Sequence, residues 1–168
     1  MKKTYLLALV ILGLSANSFA QSTVPSDATA TIITPIAIAK NLDMSFGNIA
    51  VNPTTPGGTV TLPASVTPSR IPSAGVTLPA VTGLVQAAKF TVSGEGSSVY
   101  TITLPASITL SGTGADMSIV PNCSVANLTA AVLTAGTQVF YVGGVLTVAA
   151  VQSAGVYSGT FNVSVNYN

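Results

Sequence analysis

The chain has 168 residues, of which 48% are hydrophobic and only 5% are charged, whereas an average soluble domain is roughly a quarter charged. Phosphate recognition needs clustered Lys and Arg, and the basic residues beyond the N-terminus are only Lys40, Arg70 and Lys89, so the composition excludes nucleic acid as a partner. The chain has no histidine and one cysteine, Cys123, which excludes imidazole chemistry and an intrachain disulfide.

The N-terminus has the form of a secretory signal peptide. Two lysines precede an apolar run over residues 5–14, and small residues lie at positions 18 and 20, where signal peptidase reads the chain. The run is too short to span a bilayer, which needs about twenty apolar residues. We therefore predict a signal peptide over residues 1–20, export, and a mature chain over residues 21–168 that forms a single domain without a membrane span.

The first strand pattern of the mature chain lies in residues 28–40. Its letters, A-T-A-T-I-I-T-P-I-A-I-A-K, place Ile32, Ile36 and Ile38 on one parity, and successive strand side chains point to opposite faces. Pro35 interrupts the pattern because proline has no N–H to donate to a neighbouring strand. The sequence predicts a strand with one apolar face that is split at Pro35.

Short alternating segments punctuated by Gly or Pro follow along the chain. The clearest hairpin joins residues 89–93 to residues 99–104 through a turn that contains Gly94 and Gly96, since glycine readily takes the positive φ of tight turns. Several short strands at this spacing are typical of a β-sandwich or a barrel. The other strands predicted here are residues 58–62, 75–78, 107–110, 117–120, 138–142 and 145–149.

The last fourteen residues, G-V-Y-S-G-T-F-N-V-S-V-N-Y-N, form the most regular pattern in the chain. Polar residues occupy one face of the predicted strand and large apolar residues the other. Chain ends are usually frayed unless they dock in a sheet, so we expect this strand either to lie inside a sandwich or to be held ready for a partner protein. The apolar members are Tyr157, Phe161, Val163, Val165 and Tyr167.

Catalysis has few residues available in this chain. The four acidic residues lie far apart in sequence and show no calcium-loop spacing. The glycines in S-G-T-G-A-D, residues 111–116, lack the third glycine and the following helix of a phosphate loop. We therefore predict that the protein is not an enzyme and holds no metal or cofactor.

Five segments carry a resemblance to known proteins. A-T-A-T-I-I-T-P-I-A-I, L-D-M-S-F-G, F-T-V-S-G-E, Y-T-I-T-L-P and the C-terminal fourteen residues resemble the bacterial family called domain of unknown function 4402. The ending also resembles the terminal zipper of chaperone-usher pilins, which have a glycine fourteenth from the end and an aromatic residue next to last. Gly155 and Tyr167 match these positions, although the cysteine pair common in better-known pilins is missing.

The resemblance implies an all-β, immunoglobulin-like antiparallel β-sandwich that lacks one strand. A periplasmic chaperone would first fill the open groove, and the N-terminal strand of another copy or a related subunit would then replace it at an outer-membrane usher. The implied function is a structural subunit of a surface fibre, a fimbria or pilus, that contributes to cell adhesion. The low charge agrees with a surface covered by copies of itself, because it gives little colloidal repulsion.

The resemblance also implies two sets of site residues. Ala28, Ala30 and Ile32 belong to the donor strand, and Ile36 and Ile38 are shared between the donor strand and the domain's own first strand. The C-terminal zipper, which contacts the chaperone or the next subunit, comprises Gly155, Tyr157, Phe161, Val163, Val165 and Tyr167. Two alternatives stay open: residues 28–40 form an ordinary first strand of their own domain, and the protein is a monomeric secreted or cell-surface binding module.

Overall fold

The computed structural model of the protein describes residues 21–52 and 56–168. The predicted signal peptide, residues 1–20, lies outside the described residues. The chain divides into two units after Ile32, and each is considered by itself. Residues 21–32 form no helix or strand and bury none of their side chains. The prediction of a single domain over residues 21–168 stays a prediction.

The unit from Ile33 to Asn168 is built from antiparallel strands, and no helix occurs in the part of the chain that the structure describes. Consequently, no described helix is available that could cross a membrane. The twelve strands are β1 (Ala37–Leu42), β2 (Ala50–Val51), β3 (Gly58–Leu62), β4 (Ile71–Pro72), β5 (Val76–Thr77), β6 (Ala88–Ser93), β7 (Val99–Thr103), β8 (Ile108–Leu110), β9 (Met117–Cys123), β10 (Ala131–Val132), β11 (Thr137–Val148) and β12 (Ser164–Tyr167).

The large sheet has seven strands and is organised around β11. The first half of β11 pairs with β6, which in turn pairs with β1. The second half pairs with β3 on one side and with β9 on the other. The strands β4 and β8 extend the sheet beyond β3 and β9. A second sheet has the order β10-β7-β12, and β2 pairs with β5.

Two adjacent glycines allow β11 to change partners without ending. The strand leaves β6 at Val142 and begins to pair with β3 at Gly144. A Cβ atom at Gly143 would lie 2.1 Å from the carbonyl oxygen of Leu62, and one at Gly144 would lie 2.5 Å from Cγ2 of Ile119. The sequence prediction of two strands, residues 138–142 and 145–149, is therefore wrong at this point: the glycines permit close packing and do not form a turn.

The two larger sheets pack face to face through a first apolar core. Phe140 of β11 is completely buried and stacks on Phe90 of β6, with ring centroids 5.4 Å apart. Tyr100 and Ile102 of β7 reach the same core from the second sheet. These contacts confirm the prediction of an all-β antiparallel sandwich. The buried members of the first core are Ala88, Phe90, Val92, Tyr100, Ile102, Ala131, Leu133, Phe140 and Val142.

A second apolar core lies under the other half of β11. Leu146 and Val148 of that strand pack with residues from β3, β5, β8 and β9 and with Phe46, which lies between β1 and β2. Because β11 supplies both cores, the two parts of the sandwich share one backbone element. The buried members of the second core are Phe46, Val60, Leu62, Val76, Ile108, Ile119, Leu146 and Val148.

Replacing Phe140 by alanine tests the first core. We expect Phe140→Ala to lower the free energy of unfolding by about 3–5 kcal/mol, because it removes a fully buried ring and leaves a cavity. Its neighbour Val139 is 47% exposed on the other face of the same strand, so Val139→Ala should cost under about 1 kcal/mol. Urea unfolding of the mature chain measures both, and equal losses would contradict this account of the core.

Candidate functional site

A groove with a volume of about 990 Å³ opens between two segments of the main unit. Residues 43–51 form the first wall and residues 152–161 form the second wall. The lining combines half-buried apolar side chains with polar residues of both walls, and Ile108, Ile119 and Leu146 of the second core line the groove but are at most 2% exposed. The half-buried apolar residues of the groove are Met44, Ile49, Val51, Leu110, Met117, Tyr157 and Phe161.

The first wall is hydrogen-bonded to residues 82–86, of which Leu84 also lines the groove. The backbone of Ser45 donates to the carbonyl of Gln86 at 2.8 Å and accepts from its N–H at 3.0 Å. The N–H of Asn48 donates to the carbonyl of Thr82 at 2.7 Å. Gln86 and Thr82 themselves do not line the groove, so these backbone bonds hold the wall without occupying the groove.

Arg70, the only arginine in the chain, fixes a kink in the first wall. Its Nη1 donates to the carbonyl oxygens of Phe46 and Asn48 at 2.6 and 2.5 Å. Gly47 lies between these two residues with φ +64°, and a Cβ atom there would lie 2.2 Å from the carbonyl oxygen of Thr82. Only glycine fits this positive φ and close approach without strain, so the course of the wall is set locally by Gly47 and Arg70.

The second wall is supported in the same way by the segment after β8. The backbones of Ser158 and Ser111 exchange hydrogen bonds of 3.0 and 2.9 Å, and the Thr113 hydroxyl donates to the carbonyl of Ala154 at 3.0 Å. Ser111 and Thr113 do not line the groove. A Cβ atom at Gly155 would lie 2.2 Å from Oγ1 of Thr113, so the predicted zipper glycine is the point where the wall meets its support.

The groove therefore has the two features that an extended peptide requires. Among the described residues, no strand pairs across it from one wall to the other. Its lining includes apolar side chains of both walls, and each wall is hydrogen-bonded to another segment of the chain. An extended chain that adds to a sheet edge gains main-chain hydrogen bonds and places alternate side chains in pockets. Since the deepest lining residues are covered, such a chain must part the walls to reach them.

The predicted C-terminal strand is only partly a paired strand. Ser164–Tyr167 forms β12 and pairs with β7, while Ser158 makes the isolated bridge to Ser111. The segment between them passes from β8 to β7, two strands that do not pair with each other, which accounts for the shorter strand. The predicted alternation of side chains is nevertheless present. Tyr157, Phe161, Val163, Val165 and Tyr167 are half-buried, and the intervening residues from Ser158 to Asn166 are exposed.

The predicted donor residues fall into two groups in the structure. Ala28, Ala30 and Ile32 lie in the unit that ends at Ile32. Ile36 and Ile38 lie in the main unit, where both pack against the first core, and Ile38 pairs with Val92 as part of β1. Their roles as donor residues, and those of the zipper residues, stay predictions.

The acidic and thiol side chains of the described residues lie apart from one another. No three of these Asp, Glu and Cys side chains come together in a way that could hold a metal ion. Burial raises the pKa of the half-buried Cys123 thiol and raises the pKa of Tyr100 to about 12. A thiol with a raised pKa carries little thiolate at neutral pH, so we assign no chemistry to Cys123.

Sequence reasoning did not identify the first wall or its supports. Of the first wall, only the segment L-D-M-S-F-G, residues 42–47, is recognised in the sequence, as part of the family resemblance, and Arg70 carries no signal except that it is the sole arginine. A single guanidinium in a nearly uncharged chain was the available clue.

Replacing Arg70 tests how the first wall is held. We expect Arg70→Met to lower the free energy of unfolding by about 2–4 kcal/mol, because two carbonyl groups lose a charged donor. Hydrogen exchange at residues 46–48 should increase. Lys40 forms an exposed ion pair with Asp43, so Lys40→Met should change stability by less than about 1 kcal/mol. Similar losses in the two variants would show that Arg70 does not support the wall.

The comparisons with known proteins identify the family of the chain. No significant match was found among curated proteins or among solved structures. The family described as domain of unknown function (DUF4402) matches residues 36–167, which run from the residue before β1 to the last residue of β12. The segment A-T-A-T-I-I-T-P lies outside the matched residues. The match covers most of the chain and confirms the predicted family: the protein belongs to the DUF4402 family.

Proposed function

We propose that this protein is a structural subunit of a bacterial surface fibre, a fimbria or pilus, in which the groove of one copy accepts the N-terminal arm of another. The arm is residues 21–33. The observation that carries the proposal is a groove with apolar residues in its lining between two walls that do not pair with each other, each of which is hydrogen-bonded to its own support. A strand inserted between such walls completes the sheet edges and covers apolar surface.

The arm has the length and pattern that the groove requires. Its thirteen residues reach about 40 Å when extended, at roughly 3.3 Å per residue. The second wall has ten residues and thus needs roughly 33 Å of strand. Ala28, Ala30 and Ile32 share one parity of the arm, so that all three side chains point into the groove together.

The anchored walls favour insertion energetically. Each apolar side chain that is fully buried contributes roughly 1.5–3 kcal/mol, but fixing the backbone of each arm residue costs about 1–2 kcal/mol. These opposing terms are similar in size, so the balance depends on hydrogen bonds to the wall edges and on how little the acceptor must reorganise. Supports at Gln86, Arg70 and Ser111 limit that reorganisation to the parting of the two walls, because they hold each wall in its own course before the arm arrives.

The same groove supports the predicted assembly route. After export, a periplasmic chaperone strand occupies the groove and keeps the walls apart, and the arm of the next subunit replaces it at an outer-membrane usher. The zipper residues Tyr157 and Phe161 line the groove, which supports a role for them in contacting either strand. A fibre built in this way displays many copies at the cell surface and contributes to adhesion.

One observation favours the alternative of a monomeric secreted or cell-surface binding module. The chain's own Ile36 and Ile38 already pack against the first core, and the walls cover most of the second. If the protein is such a binding module, the arm has no role in assembly. The two functions differ in what removal of the arm does, so one set of variants separates them.

Peptide binding tests the arm directly. A synthetic peptide of residues 21–34 should bind the chain that lacks residues 21–33 and raise its midpoint of thermal unfolding, because a ligand that binds only the folded state stabilises it. A peptide with Ile32→Asp should bind at least about tenfold more weakly, since it would bury a charge. Thr31→Asp, on the opposite parity, is the matched control and should bind with little change. Isothermal calorimetry measures the three affinities.

Assembly in cells provides the second readout. Co-expression with a periplasmic chaperone and an usher should give a ladder of oligomers on unheated denaturing gels, and deletion of residues 21–33 should leave monomer only. A chain that stays monomeric with or without the arm, and a groove that binds none of the three peptides, would reject the fibre and favour the binding module.

A further inference from the structure

Thr34 is held by two side chains that are distant in sequence. Its N–H donates to Oε2 of Glu95 at 3.1 Å, and its carbonyl oxygen accepts from the Tyr167 hydroxyl at 2.8 Å. The same hydroxyl accepts from the N–H of Glu95 at 2.6 Å. The three residues form a closed ring of hydrogen bonds, which we call the Thr34 clasp. The clasp links the start of the main unit to the β6–β7 turn and to the end of β12.

The turn that carries Glu95 has a glycine, Gly94, at the point where the Tyr167 hydroxyl approaches it. A Cβ atom at Gly94 would lie 2.3 Å from the Tyr167 hydroxyl, so only glycine leaves room for the ring. The turn is tied to a second turn, because Gly94 N–H donates to Gly136 and Gly136 N–H donates to Gly96, at 2.9 and 2.7 Å. Consistent with a stable contact, the hydrogen bond from the Thr34 N–H lowers the pKa of Glu95 from its ordinary value.

The position of the clasp along the chain is fixed by the next residue. Two of the bonds to Thr34 end on its main-chain atoms, a third joins its side chain to Glu95, and the following residue, Pro35, has neither an N–H nor a hydroxyl. A shift of the chain that brought Pro35 to Glu95 would leave the carboxylate without its donor. The clasp also lies between the arm and β1, which is paired on one side only, with β6.

We propose that Glu95 and Tyr167 are positioning residues that fix where the N-terminal arm leaves the domain. Residues 21–33 stay free to enter a neighbouring copy, while Ile36 and Ile38 stay in the chain's own core. A force applied to the arm therefore acts on the hydrogen bonds of the clasp before it acts on the pairing of β1 with β6. The part of this inference that concerns a neighbouring copy rests on the proposed function, whereas the anchoring of β1 does not.

Trypsin can measure the anchoring in the mature chain. The first basic residue after the signal peptide is Lys40 in β1, and Lys89 lies in β6 at the centre of the sandwich. Cleavage after Lys40 requires β1 to detach, and cleavage after Lys89 requires the sandwich to open. The ratio of the rate of cleavage after Lys40 to the rate of cleavage after Lys89 separates local release of β1 from global unfolding, because proteolysis under native conditions follows the population of the open form.

Tyr167→Phe and Glu95→Ala should each speed cleavage after Lys40 by about fivefold or more relative to cleavage after Lys89, since each removes a bond to Thr34. Glu95→Gln keeps an acceptor without its charge and should give a smaller increase. Tyr141 lies on β11 away from the clasp, so Tyr141→Phe is the matched control and should leave the ratio unchanged. The proposal is overturned if the clasp variants leave the ratio unchanged or if Tyr141→Phe raises it equally.

This experiment separates the two proposals. Absence of a ladder with the wild-type chain would reject the fibre, yet the cleavage ratio would still decide whether the clasp anchors β1. If the ladder forms, the Tyr167→Phe/Glu95→Ala double variant should give oligomers that release residues 21–40 under trypsin at least fivefold faster than wild-type oligomers. Equal release from both oligomers would overturn the role of the clasp in the fibre.

Discussion

The rest of the structure depends on the unbroken passage of β11 through both halves of the sandwich. Phe140 and Val142 fill the first core, and Leu146 and Val148 fill the second. Between them, Gly143 and Gly144 allow neighbouring backbone and side chains to approach closer than any Cβ atom would permit. A single strand therefore holds together two cores, and the groove lies over the second of them.

The groove follows from this arrangement because β11 supplies its base and other elements supply its walls. The walls are not paired with each other. Each wall is held by hydrogen bonds to other segments, which come from backbone pairs at Ser45 and Ser158 and from the guanidinium of Arg70. Walls held in this way keep their course, while no strand ladder joins them across the groove.

The sequence predicted the fold class and most strands because each core strand alternates apolar and polar residues with a period of two. The terminal alternation from Tyr157 to Tyr167 is present in the burial of the side chains. Two features were not predictable from local pattern. Gly143 and Gly144 resemble a turn in sequence, and only the neighbouring strands show why glycine is required there. The supports of the walls join residues that are 22 and 24 positions apart in the case of Arg70, so no local spacing marks them.

The Thr34 clasp indicates which sequence features would identify an anchored N-terminal arm in homologous chains. Its bonds include the peptide group of residue 34 and a hydrogen bond from the Thr34 side chain to Glu95, so a hydroxyl-bearing residue at that position keeps the whole clasp. The signature of an anchored arm is this residue together with a Gly-Glu pair in the hairpin turn and a hydroxyl-bearing ring at the end of the last strand. A homologue with phenylalanine in place of Tyr167 would keep the packing of the ring but lose its hydrogen bonds to Thr34 and Glu95. Its first strand, the equivalent of β1, would then detach more easily from the rest of the domain.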